Sequence, residues 1–202
     1  MHKLAITAAA ATLALSGALS AQAQDATRVS INKISEEGVG DKIGSIILEP
    51  TPNGVLIRPI LEGLEPGMHG FHLHEKGSCE AAEKSGEMTA GAAAGGHYDP
   101  DNEGGHTGPF RPGHQGDLPA LFVDEDGNAN QQVLAPKLKV EDMRGHALII
   151  HEGGDNYSDK PDLGGGGARI ACGVVIDEDF QSQSAVEPKK QQKLQQKDDS
   201  AS

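Results

Sequence analysis

Short apolar runs of strand length, each ended by a glycine- or proline-bearing turn, constrain this chain more than any other feature. "RVSINKIS" carries β-branched residues in near alternation, while "GSIILEP" and "VLIRPI" flank Thr51-Pro52-Asn53-Gly54, a pattern that predicts a hairpin. "LPALFVDEDGNANQQVLAP" predicts a second hairpin turning at Asp126-Gly127-Asn128, and "GHALIIHE" and "ARIACGVVI" are further strand-length runs. No amphipathic helical pattern accompanies them, beyond a turn or two near Glu80–Lys84. Many short strands with Gly/Pro turns predict an all-β sandwich or barrel.

Two long stretches do not read as strands: residues 77–119, rich in Gly, Ala, Pro and His, and residues 152–167, rich in Gly and Asp. Loops of this length are functional or lack a fixed structure. Aromatic residues make up 3% of the chain and Trp is absent. The core must then be aliphatic and modest, so cross-links and metal ions carry more weight.

Residues 1–23 read as a signal peptide: Lys3 is the positive start, Leu4 to Leu19 the apolar stretch, and Ala21-Gln22-Ala23 a small-x-small cleavage site. Cleavage is expected after about Ala23, leaving a body over residues 24–180. Residues 181–202, a Gln/Lys-rich tail, cannot bury a face and are expected to be disordered. No later run approaches the roughly 20 apolar residues of a membrane span, so an exported, soluble protein is expected. Export to an oxidising compartment turns an even cysteine count into an expected disulfide, Cys79 with Cys172. The balance of 17 basic against 30 acidic residues, net −13, excludes nucleic acid as a partner.

Eight of the nine histidines fall between His69 and His151, which points to metal binding. In "GFHLHEKGSC", alternate residues of a strand share a face. His72 and His74 then point one way while Phe71 and Leu73 point into the sheet. His151, at the end of "ALII", can reach the same ion from a neighbouring strand. In "GGHYDPDNEGGHTGPFRPGHQGD", His97, His106, His114 and Asp117 follow with eight, seven and two residues between them. Three imidazoles and one carboxylate make a closed shell suited to structural zinc.

"GFHLHEKGSC", "GGHYDP", "GGHTGP", "GHQGDLPAL", "IIHEGGDNYSDKP" and "GGGARIACGVV" together resemble the copper,zinc superoxide dismutase family in its bacterial periplasmic branch, over roughly residues 27–177. The resemblance implies an eight-stranded Greek-key sandwich or barrel, immunoglobulin-like, with two long functional loops. It implies one copper and one zinc ion per subunit: copper on His72, His74, His97 and His151, and zinc on His97, His106, His114 and Asp117. His97 bridges the two and Arg169 docks the substrate anion, so these two are the catalytic residues. Cys79–Cys172 is the family disulfide.

A carboxylate joining a copper-ligand ring to a zinc-ligand ring is also implied. The offset of four from His151 selects Asp155, with Asp159 second and Glu103 behind it. His69 and His146 receive no metal role, and Lys76, Arg111 and Lys160 are candidate steering charges. The implied reaction is ping-pong dismutation of superoxide to O₂ and hydrogen peroxide by a Cu(II)/Cu(I) cycle, protecting the cell envelope from a periplasmic location. The implied assembly is a homodimer or a monomer without membrane span. The rival reading is an exported copper/zinc storage or delivery protein of the same fold.

Overall fold

Beyond a register shift Ile34 of strand β1 (Thr27–Ser35) joins a second small cluster, while ahead of it Val29 and Ile31 enter the main core with Arg28 and Ser30 exposed. That is the alternation expected of a sheet with one face on a core. β2 (Gly38–Thr51) and β3 (Gly54–Leu61) pair antiparallel about the predicted turn, Thr51 opposite Gly54. The remaining strands are β4 (Gly67–His69), β5 (Phe71–His74), β6 (Ala82–Lys84), β7 (Glu87–Thr89), β8 (Leu121–Val123), β9 (Val133–Ala135), β10 (Ala147–His151) and β11 (Arg169–Val174). A short helix α1 (Val140–Met143) and two 3-10 turns complete the elements. The computed structural model describes residues 26–176; the expected leader 1–23 and tail 181–202 lie outside them.

One seven-stranded sheet runs in the order β5-β10-β11-β1-β2-β3-β9. Its ends are joined through a second pairing, β4 with β8, because β4 leads into β5 and β8 leads towards β9. With β4 and β5 taken as one strand bent at Gly70, eight strands form the curled Greek-key wall. The expected all-β class holds, and β6–β7 is an extra ribbon carried by the long 77–119 segment.

Two expectations are corrected. The Glu80–Lys84 stretch ends in strand β6 in place of a helical turn, and the turns of helix lie at Ala92–Ala94, Val140–Met143 and Asp162–Gly165. The second predicted hairpin turns where expected, with Gly127 at φ 82°, but its arms do not pair with each other. β8 pairs with β4 and β9 with β3, because closing the wall satisfies more backbone than an isolated hairpin would.

The core is aliphatic, as composition requires: among the largest fully buried side chains, Phe71 stands with Ile31, Ile46, Leu48, Ile57, Leu73, Leu118 and Leu148. β5 and β10 differ from β1 in being buried on both faces. Phe71, Leu73, Leu148 and Ile150 enter the main core, while Ala147, Ile149 and Cys172 form a second small cluster with Ile34 and Ala94. The long loops cover that second face.

Candidate metal centre

The covered face of β5 and β10 brings the first histidines together. His72 and His74 share the side of β5 opposite Phe71 and Leu73. In the neighbouring strand Ile149 stands opposite His72 and Ala147 opposite His74, so His151, two residues on, falls on the same side. The other edge of β5 is stitched to the loop. Leu73 N–H donates to Gly116 O at 2.9 Å, Tyr98 N–H to Leu73 O at 2.9 Å and Gly116 N–H to Tyr98 O at 2.8 Å. These bonds set His97 beside His74 and Asp117 beside His72. A Cβ at Gly116 would collide with the Leu73 carbonyl, so the stitch requires glycine.

Two groups of four result. In His72, His74, His97 and His151, and again in His97, His106, His114 and Asp117, the ligand-type atoms lie within 4.8 Å of one another. His97 belongs to both. A buried polar atom left without a partner costs about 1–3 kcal/mol. Among the described residues five imidazole nitrogens are buried in that way: His72 Nδ1, His74 Nε2, His97 Nε2, His114 Nδ1 and His151 Nε2.

The opposite nitrogens of three rings are occupied. His72 Nε2 donates to Asp155 Oδ2 at 2.6 Å, His74 Nδ1 to Gly95 O at 3.1 Å and His151 Nδ1 to Gly167 O at 3.2 Å. Each bond fixes the proton on that nitrogen and leaves the other as a lone pair. Together with His97 Nε2 these lone pairs converge, and a cation is the partner they lack. In the second group, Asp117 Oδ1 lies 2.8 Å from His106 Nδ1, 3.0 Å from His97 Nδ1 and 3.5 Å from His114 Nδ1. Its other oxygen accepts from the amides of Thr107 at 2.9 Å and Gly108 at 3.0 Å. An all-imidazole set suits copper, and three imidazoles with a carboxylate suit zinc.

Asp155 spans the two groups: Oδ2 takes the His72 bond, and Oδ1 accepts from His106 Nε2 at 2.7 Å and from the Tyr157 amide at 2.7 Å. Asp159 accepts only from the His106 backbone, at 2.8 Å, and Glu103 from the Gly113 backbone, at 2.9 Å. His69 lies between the carbonyls of His151 and Glu65, 2.6 and 2.7 Å away, and His146 Nδ1 donates to His74 O at 3.1 Å. Neither ring faces a group.

Burial pushes His72 down to about 3 and His151 to about 4, and lowers His74 and His97 as well. Burial also opposes charge on His106, but the carboxylates of Asp117 and Asp155 outweigh it and raise that ring to about 9. Burial works to raise both carboxyls, yet the His106 bonds and their histidine neighbours hold Asp117 and Asp155 below the usual carboxylate range.

The metal-free protein should therefore lose stability on both sides of neutrality. Below about 6.5 the unfolded chain takes up protons that buried His72 and His151 refuse, so stability falls as pH drops towards 3–4. The His106 contribution is complete below about 6.5 and is lost as pH rises through about 9. Chemical denaturation of the metal-free protein between pH 4 and 10 checks this, and a flat profile would contradict it.

Arg169 opens β11 opposite His151. Its Nη1 donates to Gly91 O at 2.6 Å and its Nη2 to Gly95 O at 2.7 Å. The segment carrying those carbonyls is tied to β11 by the Cys79–Cys172 disulfide, with Cα atoms 5.6 Å apart. Arg169 lines an open pocket with Gly95, Gly96, Gly167 and Lys84. Sequence reasoning missed Lys84, although its place five residues after Cys79 ties it to the strand of Arg169. Lys76, Arg111 and Lys160 do not line this pocket.

The Greek-key β-wall carries two groups sharing one imidazole that could each hold a metal ion, one of four histidines and one of three histidines with a carboxylate. A sequence profile of the copper/zinc superoxide dismutase (SODC) family matches residues 43–175. The Cu-Zn superoxide dismutase of Escherichia coli K12 is 50% identical over 167 residues, 82% of this chain and 96% of that protein. The Cu/Zn superoxide dismutase structure from Brucella abortus superposes with a TM-score of 0.73 at 46% identity, covering 75% of this chain and 99% of that one. The solution structure of the monomeric enzyme from Salmonella enterica gives 0.68 at 49% identity, with coverage of 75% and 99%. The chain belongs to the copper/zinc superoxide dismutase family. It is an oxidoreductase that dismutes superoxide, with one copper and one zinc ion per subunit.

Proposed function

We propose that His72, His74, His97 and His151 hold the copper, that His97, His106, His114 and Asp117 hold the zinc, and that Arg169 receives the superoxide anion. The observation that carries this reading is the set of five buried, partnerless imidazole nitrogens, four of them converging on one point. When bound, copper supplies the one-electron redox change and zinc, which has no redox chemistry, supplies charge and rigidity.

The chain's own groups do the rest. Two superoxide anions and two protons become O₂ and H₂O₂, so one molecule must gain an electron and two protons. His97 faces one group through Nε2 and the other through Nδ1, which makes Nε2 a place to hold a proton close to the product. Asp155 keeps the His72 and His106 rings in register. Arg169 keeps N–H donors beyond the two it gives to Gly91 and Gly95, and these can bind a small anion. With the whole chain at −13, attraction must be local, and Arg169 with Lys84 supplies it at the pocket mouth. This enzyme class is a known case of such steering.

Asp117→Ala should lose zinc before copper, as measured by metal content of the purified variant. A full zinc complement would contradict the ligand assignment. Arg169→Ala should keep both metals while its rate at low ionic strength falls about tenfold and loses most of its salt dependence. Unchanged stopped-flow decay would remove Arg169 from the mechanism.

Two further readings belong with this one. A periplasmic location is supported by the leader-like residues 1–23 and by a disulfide, which needs an oxidising compartment. Among the described residues no helix is long and apolar enough to cross a membrane. Every group of both sites comes from one chain, so a single subunit is complete in itself. Light scattering of the mature protein distinguishes the monomer from a homodimer.

A further inference from the structure

The stretch from Asp99 to Asp117 carries three of the zinc-group side chains, yet none of its residues belongs to either apolar cluster. Gly104, Gly105, Gly108 and Gly113 all take positive φ, so the backbone has wide freedom, and polar ties must decide its shape. Among the ties from outside the loop is one from beyond β9. Lys137 follows β9, between Ala135 and Leu138, each 1% exposed. Its root is therefore fixed in the core. Its ammonium crosses to the loop, where Nζ donates to Gly108 O at 2.9 Å and to His114 O at 3.1 Å.

Both acceptors belong to residues that build the zinc group. His114 contributes its ring, and the Gly108 amide donates to Asp117 Oδ2 at 3.0 Å. Gly108 is thus held from both sides, by the carboxylate through its N–H and by the ammonium through its carbonyl. Burial lowers the Lys137 pKa, against the pull of Asp117, Glu103 and Asp99. A cation partly withdrawn from water is costly unless its donors are used.

We propose that Lys137 is a positioning residue for the zinc group, shaping the His106–Asp117 segment through the Gly108 and His114 carbonyls. This rests on the reading of His97, His106, His114 and Asp117 as the zinc ligands. Two effects of the ammonium oppose each other, and their signs separate them. As a bare charge it repels Zn²⁺, so its removal would tighten zinc binding. As a clamp it holds the ligands together, so its removal weakens binding.

The test is zinc affinity of the copper-free, full-length body by chelator competition, with the visible absorption of Co²⁺ in the same group as a report of ligand geometry. Lys137→Met, which keeps length but loses charge and donors, should bind zinc about 10–100-fold more weakly and change the Co²⁺ spectrum. Its copper affinity should be unchanged. Lys137→Arg, which retains donors and charge, should recover most of the loss. Lys137→Leu, which also lacks charge and donors, gives the same comparison should the Met variant fail to fold. Equal or tighter zinc binding in the uncharged variant would overturn the proposal. So would zinc and copper affinities falling together in step with the melting temperature of the metal-free protein. If the wild-type chain itself bound no zinc tightly, the ligand reading would fail and the proposal with it, whereas tight wild-type binding unchanged in the variant would overturn the role of Lys137 alone.

Discussion

Asp155→Ala is expected to weaken metal binding at both groups by about 10–100-fold, the usual range for removing a carboxylate that orients ligand imidazoles. The size follows from its position. One carboxylate holds His72 Nε2 at 2.6 Å and His106 Nε2 at 2.7 Å, so a single change frees a ring in each group. His72 then loses the bond that keeps its proton on Nε2 and its Nδ1 lone pair directed inward. His106 loses one of the two carboxylates that fix its plane. Competition titration of copper and zinc into the metal-free variant measures both losses. Wild-type affinity at either group would contradict the orienting role there. Asp155→Asn should fall between the two, because an amide retains one acceptor oxygen while its NH₂ faces a ring N–H.

Replacing both Cys79 and Cys172 by serine should cost about 2–5 kcal/mol of stability, as removal of a native disulfide usually does. The bridge spans 93 residues, and in the chain-entropy view a closure that long constrains the unfolded chain strongly. The loss is also functional. Cys172 packs with Ile34, Ala94, Ala147 and Ile149 beneath the segment that presents the Gly91 and Gly95 carbonyls to Arg169. Once that segment is released, the guanidinium loses its two fixed acceptors. The double variant should retain its metals, melt at lower temperature and show a reduced rate with weaker salt dependence. An unchanged melting temperature would contradict the structural part of this account, and an unchanged rate the functional part.

What sequence could reveal here follows from how local each signal is. The pairing of His72 with His74 is legible because a strand puts i and i+2 on one face, and the gathering of His97, His106, His114 and Asp117 because three imidazoles and a carboxylate match a closed zinc set. The β1–β3 meander was legible for the same local reason: its turn chemistry and alternation are written within 35 residues. The pairing of β8 with β4 was not, since the partner is chosen by closure of the wall over a distance of more than 50 residues. Ala82–Lys84 invites a helical reading through its Ala, Glu and Lys, but Ser85-Gly86, both at positive φ, turns it into a ribbon instead. Lys137 carried no signal of its own, and Lys84 only its nearness to Cys79. Each acts on residues far along the chain, and a lysine in a polar segment looks the same whether or not it reaches a carbonyl.

The most direct test is superoxide decay by residues 24–202, loaded with copper and zinc, with bound metal quantified on the same sample. The account predicts copper-dependent decay close to the diffusion limit for which this enzyme class is known, abolished when copper alone is withheld. Slow decay with both groups filled would contradict it and would favour a protein that stores or delivers metal on the same fold.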